Sequence, residues 1–266
     1  MSVFSKIMTP DDGVAWVTGA SGGIGRATVL RLANADWTVY ATARGSADLD
    51  QLIAEGPAGR IIAAAGDVTD ADRMAAIVAE ITAQHPLALA LLNAGIYTPM
   101  RANDFDAATA SRMWRTNLEG VSNCTDPVLK AMIAQGTGHL AVTASVAGYR
   151  GLPDAAVYSG TKAALIAYCE ALAMDLADLG VRISVINPGF VETQATSTNA
   201  FDMPFLMTPD QAAQRIVAGL GKSGFEITFP KRFSLILRTI GLLPNRAYIA
   251  VIRAVTGWNG TDKRDD

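Results

Sequence analysis

A glycine-rich turn between an apolar run and a helix-forming run is the feature that most constrains this fold. Residues 13–17 are apolar without alternation, which predicts a short strand buried on both faces. The glycine-rich residues 18–25 follow, and a helix is expected from about Arg26 to Asn34. At such a junction the backbone N–H groups and the helix dipole favour a phosphate group, and glycines let it approach closely. The turn therefore predicts a strand–turn–helix unit that holds a phosphorylated ligand, with a glycine loop that binds nothing as the alternative.

Further apolar runs alternate with helix-forming runs along the rest of the chain. Strands are expected near residues 37–42, 60–65, 87–92, 139–144, 181–186 and 224–229. This alternation predicts an α/β fold in which a doubly wound parallel sheet of about seven strands carries helices on both faces. Half of the residues are hydrophobic, and no linker or repeat divides the chain, so residues 1–266 are expected to form a single domain.

The composition argues against several classes of protein. A formal net charge of −3 speaks against general nucleic-acid binding. Cys124, Cys169, His85 and His139 show no metal-ligand spacing, so no metal site is expected. Residues 1–12 lack the apolar core of a signal peptide, and no apolar run reaches the ~18 residues of a membrane span. We therefore expect a cytoplasmic protein with reduced thiols.

A tyrosine and a lysine four positions apart, Tyr158 and Lys162, share one face of a predicted helix. A free tyrosine titrates near ~10, and a fixed cation beside it would lower the pKa and make proton transfer possible. The pair alone is equally compatible with an ordinary half-exposed helix. Ser145 ends a predicted strand upstream, where its hydroxyl could bind a substrate carbonyl or a developing alkoxide. No Gly-x-Ser-x-Gly elbow surrounds it, so a hydrolytic nucleophile is not expected.

The glycine spacing resembles one known family. Gly19, Gly23 and Gly25 follow the pattern Gly-x-x-x-Gly-x-Gly, and the sequence is similar to the single-domain, Tyr-x-x-x-Lys type of short-chain dehydrogenase/reductase from about residue 13 to residue 193. The resemblance implies a Rossmann-type sheet and an NAD(P)-dependent enzyme that interconverts a carbonyl and a secondary alcohol. It implies a general acid/base, Tyr158, and a lysine, Lys162, that lowers the phenol pKa and holds the nicotinamide ribose.

The same resemblance implies the remaining site residues. Ser145 would orient the substrate, and Asn117, in an Asn-x-x-Gly setting, would hold a water that links Lys162 to solvent. The cofactor-binding positions implied are Gly19, Ser21, Gly23, Ile24, Gly25, Arg44, Asp67, Val68, Asn93, Gly95, Tyr158, Lys162, Pro188, Gly189, Val191 and Thr193.

These positions have expected places along the dinucleotide. Asp67 by its side chain and Val68 by its backbone would meet the adenine, while Thr69 or Asp70 is the expected N-cap of the next helix. Asn93 and Gly95 would lie beside the ribose and nicotinamide. The later Pro-Gly turn would line the nicotinamide, Val191 would bond its carboxamide, and Thr193 would lie near the pyrophosphate.

The end of the second strand favours NADP(H) over NAD(H). Dinucleotide folds that choose NAD place an acid there for the ribose 2′-hydroxyl, whereas this chain has Ala43 followed by Arg44. An arginine can pair with a 2′-phosphate, although a solvated surface arginine is the competing interpretation. The family often has a second basic residue where this chain has Gly22.

Two segments after the sixth strand set the substrate expectations. Residues 190–221 are interpreted as the substrate lid region, and the Phe and Met content of residues 194–207 points to an apolar substrate or to packing against the body. Residues 230–258 are interpreted as a C-terminal helical extension of two short helices. Its cations, with no acid among them, are Lys231, Arg232, Arg238, Arg246 and Arg253. Packing over the cleft or a partner subunit is favoured, with peripheral membrane contact as the alternative.

We therefore expect an NADP(H)-dependent reductase or dehydrogenase of a small carbonyl/alcohol substrate, assembled as a homodimer through the helices around Asn117 and Tyr158. Two alternatives stay open. One is a non-catalytic NADP(H)-binding redox-sensing protein, and the other is a membrane-associated lipid or sterol reductase.

Overall fold

A seven-stranded parallel sheet lies at the centre of the computed structural model, which describes residues 6–193, 196 and 203–257. Its strands are β1 Val14–Thr18, β2 Val39–Thr42, β3 Ile61–Ala63, β4 Leu87–Leu92, β5 Gly138–Thr143, β6 Val181–Pro188 and β7 Glu226–Phe229. They are ordered β3-β2-β1-β4-β5-β6-β7 across the sheet. The predicted doubly wound α/β fold is therefore confirmed.

Helices cover both faces of the sheet. They are α1 Gly23–Asn34, α2 Ser46–Glu55, α3 Ala71–Thr82, α4 Ala107–Trp114, α5 Gly120–Gln135, α6 Ala156–Asp175, α7 Pro209–Leu220, α8 Lys231–Gly241 and α9 Asn245–Thr256. One core cluster joins α1, α2 and α7 to one face, and a second joins α3, α5 and α6 to the other. In β1 the side chains of Ala15 and Val17 enter the first cluster, while Val14 and Trp16 enter the second. Burial on both faces explains why the strand sequences are apolar without alternation.

Two element boundaries differ from the sequence expectations in ways that bear on the site. The helix α1 begins at Gly23, inside the glycine turn, rather than near Arg26. The long helix expected over residues 106–134 is interrupted, because Arg115–Glu119 form a π-helical turn between α4 and α5. A single π-turn of this kind inserts an extra residue into a helix and is frequent at functional sites.

The strand order determines where a ligand can bind. After β1 the chain moves outward to β2 and β3, and it then returns to the other side of β1 with β4. The connections on the two sides of this switch point leave a crevice outside the carboxyl ends of β1 and β4. The sequence-predicted site residues from the glycine turn and from the ends of β4, β5 and β6 therefore meet at one edge of the sheet.

The segments after β6 are only partly described. Residues 194–195 and 197–202, which belong to the expected substrate lid, lie outside the described residues, while Val191 and Met207 form a parallel β-bridge at its base. The two short helices expected in the C-terminal extension are present as α8 and α9. In the part of the chain that the structure describes, no helix is long and apolar enough to cross a membrane.

Candidate active site

The glycine turn packs tightly against the end of β4. Gly19 and Gly23 have φ angles of +68° and +51°, which side chains rarely adopt. A Cβ on Gly25 would lie 2.1 Å from the carbonyl oxygen of Gly19, and one on Gly19 would lie 2.8 Å from the Cα of Ala94. These positions therefore have no room for a side chain.

The outer side of the turn has the opposite character and fits a dinucleotide phosphate. Ser21 and Gly22 are exposed, and a Cβ on Gly22 would meet no atom within 4 Å. A Cβ on Gly23 would come within 2.8 Å of the Thr193 Cγ2 atom, so Thr193 faces the turn across the crevice. With the N-terminus of α1 directly beneath, this is the arrangement that binds a pyrophosphate.

Thr18 and Asn93 join the turn to the end of β4. The Thr18 Oγ1 atom accepts hydrogen bonds from the backbone N–H groups of Asn93 at 3.0 Å and Ala94 at 3.1 Å. The Asn93 amide nitrogen would lie 2.6 Å from a Cβ on Gly25, so the side chain lies against the turn. The sequence analysis did not consider Thr18, although a threonine that ends the strand before a glycine turn was a usable signal.

Tyr158 and Ser145 meet at the carboxyl end of β5. Ser145 follows β5, where its Oγ atom accepts from the Ala147 N–H at 3.1 Å and donates to the Pro188 carbonyl at 3.4 Å. Tyr158 lies in the first turn of α6, close enough to Ser145 for the serine to influence its pKa. Burial raises the pKa of the Tyr158 phenol above its ordinary value, and Ser145 acts in the opposite direction.

Lys162 lies one helical turn after Tyr158 and is buried. Its Nζ atom donates to the Thr143 carbonyl at 2.8 Å and lies 5.6 Å from the centroid of the Tyr158 ring. Burial lowers the pKa of Lys162 to about 8, and no salt bridge among the described residues involves it. The two side chains share a helix face as expected. The net pKa shift of Tyr158, however, is opposite to the expected lowering, because burial outweighs the other influences.

Asn117 occupies the π-turn and anchors two segments of the site. Its side chain accepts from the Ile96 N–H at 2.8 Å and donates to the Ile96 carbonyl at 2.9 Å and to Thr161 Oγ1 at 3.2 Å. A Cβ on Gly95 would lie 3.3 Å from Asn117 Oδ1 and 3.6 Å from Lys162 Nζ, so these three residues converge. The side chain that was expected to hold a water is therefore bound to protein groups.

The expected adenine end lies beyond β2 and β3. Arg44 is exposed and has no hydrogen bond or ion pair with residues 6–193 or 203–257. The Asp67 carboxylate accepts from the Thr69 N–H and hydroxyl, each at 2.9 Å, while Asp70 is the N-cap of α3. Val68 is buried, and its carbonyl accepts from the Asn123 amide at 3.0 Å.

The structure adds aromatic side chains that the sequence analysis did not place at the site. The Tyr97 ring lies 4.8 Å from the Tyr158 ring, at an interplanar angle of 57°. Phe233 of α8 lies 5.6 Å from Phe190 and 5.9 Å from Phe205, measured between ring centroids, so α8 packs against the start and the middle of the lid region. Tyr97 could have been placed at the site from the sequence, because it follows closely after Gly95 at the end of β4.

Comparison with known proteins agrees with this geometry. The profile of the short chain dehydrogenase family matches residues 13–203. An uncharacterized oxidoreductase of Myxococcus xanthus is 36% identical over 245 residues, which cover 90% of this chain and 96% of that protein. A 3-oxoacyl-(acyl-carrier-protein) reductase of Thermotoga maritima is 34% identical over 191 residues, covering 69% of this chain and 76% of that one.

A solved structure gives the same result in three dimensions. A variant of the actinorhodin polyketide ketoreductase, crystallised with NADPH, superimposes with a TM-score of 0.74 at 27% identity and covers 83% of this chain and 97% of its own. The family profile spans the glycine turn and the Tyr158–Lys162 pair. The chain therefore belongs to the short-chain dehydrogenase/reductase family of NAD(P)-dependent oxidoreductases.

Proposed function

We propose that this protein is an NADP(H)-dependent carbonyl reductase in which Tyr158 is the general acid. The observation that carries the proposal is that the Nζ atom of the buried Lys162 lies 5.6 Å from the centroid of the Tyr158 ring, with Ser145 close enough to influence the phenol pKa. This group lies at the same edge of the sheet as the glycine turn. Gly23 and Thr193 lie on opposite sides of the crevice, and their positions support dinucleotide binding.

The protonated phenol of Tyr158 suits the role of proton donor to a carbonyl oxygen. The bound nicotinamide supplies or accepts hydride, and the protein supplies the proton. Because burial raises the pKa of Tyr158, its phenol keeps its proton at neutral pH and can donate it to the carbonyl oxygen. Ser145 would donate a second hydrogen bond to that oxygen, and the Lys162 ammonium would stabilise the phenolate left behind.

Replacement of the phenol hydroxyl tests the proposal. Tyr158→Phe keeps the ring and its contact with Tyr97 but removes the proton donor, so kcat should fall by about 10²–10⁴-fold while the Kd for NADPH changes little. Tyr168→Phe, on the same helix, is the matched control and should keep full activity. An active Tyr158→Phe enzyme would mean that the general acid is another group. Tight NADPH binding by the wild type, with no turnover of any ketone or alcohol, would instead favour a redox-sensing protein.

The preference for NADP(H) is proposed from Arg44. This guanidinium is exposed next to the carboxyl end of β2 and has no partner among the described residues, so it is available to a 2′-phosphate. Arg44→Ala should raise KM for NADPH by about 10-fold or more and leave KM for NADH nearly unchanged. Arg215→Ala, an exposed arginine on α7, is the control. An equal loss with both cofactors would contradict the assignment.

An apolar substrate is proposed from the aromatic side chains near the cleft. Phe190 and Phe233 pack together beside the site, and the Tyr97 ring packs at a tilt against the Tyr158 ring. Two of the similar proteins are named for 3-oxoacyl and polyketide substrates. A panel of ketones with increasing chain length should show kcat/KM rising with length. A flat profile would contradict an apolar pocket.

We also propose that the protein forms a homodimer through α5 and α6. Ile133 on α5 and Met174 on α6 leave 40% and 73% of their surface exposed. Apolar side chains on two neighbouring helices suit burial against a second copy. Light scattering should give twice the monomer mass, and Met174→Glu should shift the protein towards the monomer. A wild type that stays monomeric would contradict this assembly.

We also propose that the C-terminal extension, α8 and α9, makes peripheral contact with an anionic membrane. Lys231, Arg232 and Arg246 are exposed and have no ion-pair partner in the described part of the chain, and Leu235 and Leu242 are exposed near them. Cations mixed with apolar side chains bind anionic headgroups. The wild type should sediment with vesicles containing phosphatidylserine, and replacing both Lys231 and Arg232 by Glu should abolish this. No sedimentation of the wild type would remove the proposal.

A further inference from the structure

The loop after β5 is held from outside by the joint between α8 and α9. Arg150 donates to the carbonyl oxygens of Gly241 at 2.7 Å and Leu243 at 2.6 Å, and to the side chain of Asn245. Its guanidinium carbon also lies 4.1 Å from the centroid of the Tyr248 ring. A planar guanidinium that binds the last carbonyls of a helix uses both its donors and its charge. One side chain therefore holds the end of α8, the start of α9 and the loop together.

The return contact comes from α9. The Tyr248 hydroxyl donates to the Gly151 carbonyl at 2.8 Å, and Tyr248 is itself buried. The loop and the extension are thus joined by hydrogen bonds in both directions, with a cation–π contact between them.

A second connection runs through Glu226 on β7. Its carboxylate accepts from the Tyr149 hydroxyl at 2.6 Å and from the Asn187 amide at 2.6 Å, and it forms an ion pair with Arg238 of α8. The Arg238 guanidinium also lies 4.7 Å from the centroid of the Tyr149 ring. Glu226 therefore links the loop after β5 to the end of β6 and to the extension.

The inner side of the same loop lies against the catalytic helix. A Cβ on Gly148 would lie 2.6 Å from the backbone carbon of Lys162, so the loop touches α6 without any space between them. Ser145 begins this loop, and its Oγ atom is within hydrogen-bonding distance of the Pro188 carbonyl. The loop that carries Ser145 is consequently enclosed, with α6 on one side and α8–α9 on the other.

We propose that α8–α9 is a positioning element of the active site, which acts through Arg150 to hold Ser145 against Tyr158. This inference rests on the proposed function, because its main test measures the rate of the proposed reaction. The contacts fix residues 150 and 151, at the far end of the loop that begins at Ser145, without touching the glycine turn, Arg44 or Thr193. A loss of Arg150 should therefore affect the proton-transfer step and leave cofactor binding intact. A displacement of about 1 Å in a catalytic group is enough to lower a rate by about 10²-fold.

Substitution of Arg150 tests the proposal. Arg150→Ala should lower kcat by about 10- to 100-fold while the Kd for NADPH stays within about 2-fold of the wild type. Backbone amide exchange of residues 146–151 should become faster in the same variant. Arg150→Lys, which keeps one cationic donor, should recover part of kcat. Arg246→Ala removes an exposed arginine from α9 and should change neither kcat nor the exchange of the loop.

Each outcome decides a separate question. Wild-type kcat and wild-type loop exchange in Arg150→Ala would refute the positioning role. Joint loss of NADPH affinity, secondary structure and activity would also refute it, because Arg150 would then serve the whole fold. Tyr248→Phe removes one hydrogen bond and keeps the ring, so it tests the proposal even if Arg150→Ala fails to fold. We expect a several-fold drop in kcat for Tyr248→Phe. An unchanged kcat would count against the proposal. If the wild type shows no turnover, the proposed function fails, and loop exchange alone decides the positioning role.

Discussion

Replacing the buried Lys162 by methionine should stabilise the protein while abolishing its activity. Burial lowers the pKa of Lys162 from 10.5 to about 8, so the folded protein holds this ammonium at a cost when the pH is neutral. At about 1.4 kcal/mol per pH unit, that shift corresponds to roughly 3 kcal/mol of lost stability at neutral pH. Lys162→Met removes the charge and keeps a flexible apolar chain of similar length, but it also leaves the Thr143 carbonyl without its hydrogen-bond donor. Its free energy of unfolding should therefore exceed the wild-type value by about 1–2 kcal/mol at neutral pH.

The pH dependence separates this effect from a change in packing. Between about pH 8 and pH 10.5 the unfolded chain binds more protons at Lys162 than the folded chain does, so wild-type stability gains from this group as the pH rises. Methionine does not titrate. The difference in free energy of unfolding between Lys162→Met and the wild type should therefore narrow by roughly 2 kcal/mol between about pH 7 and about pH 10. Over that range the folded wild type loses the cost of burying a charged Lys162.

Urea denaturation of the wild type and the variant, without cofactor and at both pH values, measures this difference directly. Lys130→Met is the control, since Lys130 is exposed, pairs with Asp126 at 2.8 Å, and should change stability by no more than about 0.5 kcal/mol at either pH. A variant that is less stable than the wild type at neutral pH would refute the reasoning. So would a stability difference that stays constant with pH, because the ammonium would then be as well solvated in the folded protein as in water.

Two further predictions concern groups at the edge of the site. Gly25→Ala places a Cβ 2.1 Å from the Gly19 carbonyl oxygen and should raise the Kd for NADPH by about 10²-fold or more in a fluorescence titration, whereas Gly22→Ala meets no atom within 4 Å and should bind normally. Weaker binding by both variants would contradict the tight packing of the turn. Asn117→Ala leaves the N–H and carbonyl groups of Ile96 without their partners, which should lower the free energy of unfolding by roughly 2–4 kcal/mol in urea denaturation. A loss below about 0.5 kcal/mol would mean that those groups find other partners.

The parts of the fold that could be predicted from the sequence have local signals. The glycine turn, the apolar strands and the Tyr158–Lys162 face each occupy one short stretch, and each appears in the structure where it was expected. The direction of the Tyr158 pKa could not be predicted in the same way, because it depends on burial by segments far away in sequence. The π-turn at Arg115–Glu119 was also missed, because an extra residue inserted into a helix has no compositional signature; weak helix formers such as Thr116 and Asn117 also occur in regular helices.

The contacts of the C-terminal extension are long-range, so the sequence alone could not show which of its cations are paired. Arg238 pairs with Glu226 and therefore does not belong to an unpaired surface. Arg150 was not singled out at all, because its partners at Gly241, Leu243 and Asn245 lie more than 90 positions away. A lone arginine after a strand carries no sign of the helix end that it will bind.

The enclosure of the Ser145 loop has a consequence for the order in which a cell can make this enzyme. The glycine turn and the strands beside it are translated early, while Tyr248 and the rest of α9 follow all seven strands. A nascent chain can thus acquire its dinucleotide crevice while synthesis is still under way. The loop that begins at Ser145 gains its contacts with Gly241, Leu243 and Tyr248 only after α8 and α9 have left the ribosome, so a chain that stalls before α8 would have the crevice without the supported serine loop.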